Sequence, residues 1–162
     1  MVTAVDVHAA GRSVIVGTDG SDSAMAAVIA AAGEASTRRL PLRIVHVVDI
    51  GTVCGVPGLG YRPGTLHEAA ALLAAAADLA RPTLGADDPA VELVYGDPVG
   101  ELVARSAGAD LIVLGRGRRG IGRWRPGSVA NQVALTAHCP VALISVPYAR
   151  SMNAAPPEPA RP

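Results

Sequence analysis

Five short apolar runs punctuate the chain: Ser13–Val16 (SVIV), Leu42–Val48 (LRIVHVV), Val91–Tyr95 (VELVY), Leu111–Leu114 (LIVL) and Val141–Val146 (VALISV). Each is bounded by polar, Gly or Pro positions, the pattern of a strand buried on both faces. Helical spacing fills the intervals between them. Met25, Val28, Ile29 and Ala32 share one face of a first helix, which Ser21 or Asp22 can cap and which Thr37-Arg38-Arg39 and Pro41 end. Leu66–Ala80 is a second, Ala/Leu-rich helix that Pro82 is expected to stop. Asp97 followed by Pro98 marks the start of a third, running to about Ala107, and Ser128 opens a fourth that reaches about Ala137. The alternation β-α-β-α-β-α-β-α-β predicts an α/β fold with a five-stranded parallel, doubly wound sheet and helices on both faces. Ligands in such sheets sit beyond the C-terminal strand ends, where strand order reverses. If strands one and four flank that reversal, the turns after them face one crevice.

Composition sharpens the core and excludes several chemistries. Half of the 162 residues are apolar, mostly Ala, Val, Leu and Ile, with one Trp, three Tyr and no Phe. Small side chains suit alanine-rich helices laid on a parallel sheet. The formal net charge is zero, so no global field steers the chain to nucleic acid or membrane, and neither partner is expected. All fourteen basic residues are Arg, which rules out Schiff-base chemistry and a lysine phosphate contact. Cys54 and Cys139 have neither disulfide-framework nor metal spacing. No signal core or apolar span is present, so a cytoplasmic location is expected. Residues 1–11 read as a flexible leader, 12–148 as one domain, and the Ala/Pro-rich residues 149–162 as a disordered tail. Ile50–Gly64, fifteen Gly/Pro-rich residues, is longer than an ordinary connection.

The chemistry concentrates after the fourth run. Gly115, Gly117, Gly120, Gly122 and Gly127 alternate with Arg116, Arg118, Arg119, Arg123 and Arg125, and the stretch closes on Pro126-Gly127-Ser128. Glycines permit close backbone approach, guanidiniums bind oxyanions, and a helix start favours negative charge, so the stretch suits a phosphate. Gly115-Arg116-Gly117-Arg118-Arg119-Gly120 formally matches the dinucleotide fingerprint. That reading fails, because Ile121–Pro126 makes a poor helix and no acid lies between Asp110 and Glu158 to hold a ribose. A P-loop fails for want of Gly-Lys-Ser/Thr.

Gly117, nine residues, then Gly127-Ser128 resembles the phosphate loop of the universal stress protein family. Val16–Ser21, His46–Asp49, Gly96-Asp97-Pro98, Ala109–Gly115 and His138–Val141 are similar to that family's other motifs, so the resemblance covers roughly Arg12–Tyr148. The family pattern puts two residues between its first glycines; here Arg116 alone separates Gly115 from Gly117, leaving the turn one residue short. The resemblance implies a Rossmann-like sheet of order 3-2-1-4-5 that binds an adenine nucleotide, ATP or AMP, in a regulatory or stress-response role. By position, Asp19 would accept a hydrogen bond from adenosine, with Gly17 and Thr18 lining the base. Val47 would hold adenine through its backbone, and Leu114 and Gly115 would pack on the nucleoside. Gly117, Gly127, Ser128 and Val129 would cradle phosphates, with magnesium bridging them but no evident protein ligand for it. A homodimer through the last strand is also implied.

Duller roles stand beside these. Asp19 and Ser128 could simply cap helices, His46 could be a strand residue satisfied within the fold, and Trp124 could stack on a base or cover the loop. The arginines could be a solvated face balancing the acidic segment Asp87–Asp110, or, in a nucleotide-free scaffold of the same fold, a contact for an acidic partner. No general base or nucleophile stands out near the phosphates, so any ATP hydrolysis is expected to be slow.

Overall fold

A computed structural model of the chain describes residues 11–49, 63–116 and 128–145. Its elements are β1 (Val14–Gly17), α1 (Asp22–Arg38), β2 (Leu42–Asp49), α2 (Pro63–Leu84), β3 (Ala90–Gly96), α3 (Pro98–Ser106), β4 (Leu111–Gly115), α4 (Val129–Thr136) and β5 (Val141–Ile144). The strands form one all-parallel sheet of order β3-β2-β1-β4-β5, as expected. β1 is central, with Val14 paired to Leu42 on one side and Leu111 on the other.

Strand alternation divides the core into two layers. Val14 and Val16 of β1 face α1 and α2, joining Ile44, Val113, Ala27, Ala31, Ala35, Leu73 and Ala76. Ile15 points the other way, toward α3 and α4, with Val45, Ile112, Leu114, Leu102 and Val133. Because α1 buries mainly alanines, its axis can lie close to the sheet.

The helix ends follow from local chemistry. Ser21 caps α1, its Oγ accepting the Ala24 N–H at 3.3 Å, so of the two candidate caps Ser21 is the one used. At the other end Arg39 adopts a left-handed conformation, φ 54°, and the Leu40 N–H donates back to the Ala35 carbonyl at 3.0 Å. Asp97 caps α3 by accepting the Gly100 N–H at 2.7 Å, with Pro98 at the first helical position. One expectation fails: α2 does not stop at Pro82 but runs through it to Leu84. A proline disturbs the turn preceding it, and this one lies so near the terminus that little of the helix is lost. The helix is closed by Gly85, at φ 72°, whose N–H donates to the Arg81 carbonyl at 3.2 Å. β5 runs Val141–Ile144, and its last residue pairs with Gly115, the last of its partner β4. Val146 and the leader and tail readings lie outside the described residues, apart from Gly11 at the leader's end.

A charge network ties α3 to the β2–β3 edge. Glu92 pairs with Arg43 at 2.6 Å and with Arg105 at 3.1 Å, and Arg105 reaches Glu101 at 2.7 Å. Two cations and two anions balance here, and the Glu92 and Arg105 side chains are only 9% and 4% exposed. Ser106 joins the far end of α3 to the turn before β5: its Oγ donates to the Val103 carbonyl at 2.6 Å and accepts the His138 N–H at 2.8 Å.

Candidate functional site

β1 and β4 are neighbours whose crossovers leave toward opposite faces, so their C-terminal ends part around a crevice. A cavity of about 160 Å³ opens there. Gly17, Thr18 and Asp19 line it from the β1 exit, Val45 and Val47 from β2, and Leu114 and Gly115 from β4. Ala24 of α1, Pro98 and Leu102 of α3, and Val129 and Ala130 of α4 complete the wall. Three helices thus present their first turns to one space. The positive ends of their peptide dipoles favour a negatively charged occupant.

The β1 exit is held at several points. The Thr18 N–H donates to the Val45 carbonyl at 2.9 Å, and the Thr18 carbonyl lies 2.8 Å from His46 Nδ1. The Thr18 hydroxyl oxygen accepts the Gly20 N–H at 3.2 Å. Asp19 does not cap α1. Its Oδ1 accepts the Ser21 N–H at 3.0 Å, a local turn that orients the exposed carboxylate. This leaves Oδ2 for a donor from outside.

Glycine at 115 has a packing cause. A Cβ there would collide with the Ser23 and Ala24 backbone at the start of α1. The close seat of α1 on β4 therefore accounts for this glycine without reference to any ligand. At Gly17 an added Cβ would meet side chains instead, Leu114 at 2.7 Å and Leu102 at 3.2 Å. Beyond the sheet, the Arg116 N–H extends the β4–β5 ladder by donating to the Ile144 carbonyl at 2.7 Å. Ser128 caps α4, its Oγ accepting the Asn131 N–H at 3.3 Å. Its hydroxyl proton stays available to donate, so capping does not preclude a ligand contact.

Of the ten residues expected at the site, Gly17, Thr18, Asp19, Val47, Leu114, Gly115 and Val129 line this one cavity, and Ser128 adjoins Val129. Gly117 and Gly127, and with them most of the arginine loop and Trp124, lie outside the described residues. Pro98 and Leu102 were not anticipated there. The Asp97-Pro98 helix start is plain in the sequence, but its place depends on α3 crossing from β3 at the sheet edge to β4 over two intervening strands. Asp110, the carboxylate nearest the arginine loop in sequence, stands at the opposite end of β4, where it accepts Arg12 hydrogen bonds of 2.7 and 2.9 Å. That hydrogen bond, with the attraction of the two charges, raises the Arg12 pKa. Among the described residues no three His, Cys, Asp or Glu side chains gather as a metal site, and no helix is long and apolar enough to cross a membrane.

A five-stranded parallel doubly wound sheet of this strand order, with a crevice at its strand reversal, defines a Rossmann-like α/β protein. Comparison with known proteins narrows this: residues 11–145 match the model of the universal stress protein family, and the chain belongs to that family. It is 37% identical over 142 residues to universal stress protein Rv2005c of Mycobacterium tuberculosis, covering 82% of this chain and 48% of that protein. The chain thus spans about half the length of the curated relatives it matches. Among solved structures it resembles a universal stress protein in complex with cAMP, with TM-score 0.62, 31% identity and coverage of 83% of this chain and 97% of that one. It also resembles the Archaeoglobus fulgidus universal stress protein in complex with dAMP, with TM-score 0.62, 28% identity and coverage of 82% and 97%.

Proposed function

We propose that the chain binds an adenine nucleotide, ATP or AMP, in the β1–β4 crevice and acts as a regulatory, stress-responsive protein. The observation that carries this reading is the polarity of the crevice. Val45, Val47, Leu102 and Leu114 make an apolar slot fit for a flat base. Asp19, fixed by its own turn, offers an acceptor to the nucleoside, and the α4 start offers N–H groups to phosphate. The cAMP and dAMP complexes of related proteins support the same ligand class. Magnesium would arrive on the phosphates rather than in a protein cage, since Asp19 is the only carboxylate among the described residues that line the cavity. That position suits magnesium's habit of keeping waters and few protein ligands.

Nothing among the described residues lining the cavity acts as a general base poised beside a nucleophile, so the proposal is binding and signalling, with hydrolysis at most slow. A second copy of the domain would pair along β5, the sheet edge, where Val141, Ala142, Leu143 and Ile144 are half-buried. Isothermal titration with ATP, AMP and cyclic AMP tests the central claim. The expected result is a micromolar dissociation constant for at least one of them, about −8 kcal/mol. No heat at high micromolar nucleotide overturns it and favours the nucleotide-free scaffold. Retained affinity after Gly127→Ala with Ser128→Ala removes the phosphate-cradle assignment.

A further inference from the structure

We infer that His46 is the positioning residue of the crevice: its ring takes the Thr18 carbonyl, which aims Asp19 and leaves the Val47 N–H open toward the ligand. This rests on the adenine-nucleotide reading above. In a parallel ladder, residues two apart on a strand turn their N–H and C=O toward the same neighbouring strand. Val45 accepts the Thr18 N–H at 2.9 Å, so the backbone groups of Val47 also point toward β1. The next acceptor in that ladder is the Thr18 carbonyl. It lies 2.8 Å from His46 Nδ1 instead, and no Val47-to-Thr18 bond is present.

A carbonyl can only accept, so Nδ1 carries the proton. The imidazole therefore substitutes for one rung of the sheet. The peptide joining Thr18 to Asp19 is clamped on its carbonyl side by His46, and Thr18 is clamped on its amide side by Val45. That fixes the direction in which the Asp19 side chain leaves the backbone. An aliphatic residue at 46 would continue the apolar strand but would return the Thr18 carbonyl to Val47.

The test compares the parent with His46→Leu, which deletes the donor, and His46→Asn, whose amide nitrogen hangs from Cγ as Nδ1 does. Thermal melts establish that each variant is folded. In ligand-free protein, hydrogen exchange at the Val47 amide should be fast in the parent and the Asn variant and slower in the Leu variant, where the rung closes. In titrations, His46→Leu should weaken ATP and adenosine alike by roughly tenfold, and His46→Asn should restore most of the loss. Combined with Asp19→Ala, the His46→Leu effect should shrink, because the two act through one contact. Equal Val47 protection in all three proteins overturns the inference, as does full affinity in His46→Leu or strict additivity with Asp19→Ala. Failure of the parent to bind either ligand refutes the nucleotide reading alone, since the exchange experiment judges His46 without any ligand.

Discussion

Adding a single methyl group at Gly115 should destabilise the protein more than its size suggests. The new Cβ would fall on the Ser23 carbonyl group and the Ala24 nitrogen, which are backbone atoms with no rotamer to change. Comfortable carbon contacts lie at about 3.5–4.0 Å, so the start of α1 would have to retreat by roughly 1 Å. Ala24 and Ala27 are 4% and 0% exposed, and withdrawing them opens the layer that also holds Val28. Overpacking of this kind costs typically 1–3 kcal/mol, and a backbone collision belongs at the upper end, about 2–3 kcal/mol. For a chain of this length the melting temperature should fall by roughly 5–10 °C. Circular dichroism melts measure it, with Gly33→Ala as control. Gly33 lies inside α1, an added Cβ there meets nothing within 4 Å, and the change should stabilise by about 0.5–1 kcal/mol. A Gly115→Ala melt within about 1 °C of the parent would refute the packing account.

Arg39→Gly should stabilise by about 1 kcal/mol in urea denaturation, because glycine meets φ 54° without strain at the end of α1. Glu92→Gln should cost about 3 kcal/mol, since it strips the buried Arg105 and the partly buried Arg43 of a shared anionic partner; the loss should persist at high salt, where exposed pairs are screened. Burial raises the Cys139 pKa, so the contribution of this group to stability is present below the unfolded value and is lost as pH climbs through the raised one. In a Cys54→Ser background, iodoacetamide at about pH 8 should therefore label Cys139 more slowly than a free cysteine peptide, and the denaturation midpoint should drop as pH rises further.

The sheet was legible because each strand is a short apolar run with few competing interpretations, and because capping chemistry at Ser21, Asp97 and Ser128 marks where helices begin. What escaped was set by distance in sequence. Pro82 carries a local signal to stop, but Gly85 supplies the closing turn three residues later. Pro98 and Leu102 reach the crevice through a crossover that no local pattern announces. Either Asp19 or Ser21 could have capped α1, and only the backbone path decides that Ser21 does while Asp19 accepts the Ser21 N–H. His46 could be placed on a strand from its neighbours, but its partner Thr18 lies 28 residues away.

Gly17 adds a practical property to the crevice. Its missing side chain leaves the floor to the tips of Leu114 and Leu102, which are the nearest atoms an added methyl would meet. The depth of the slot is thus governed by aliphatic bulk that takes no part in hydrogen bonding. Shaving Leu102 should deepen the slot, and a methyl at 17 should make it shallower, while Asp19 and Ser128 keep their partners. The domain therefore offers a bump-and-hole design: an enlarged floor matched to a ligand carrying an extra alkyl group would give a version addressable by a synthetic molecule that the parent protein ignores.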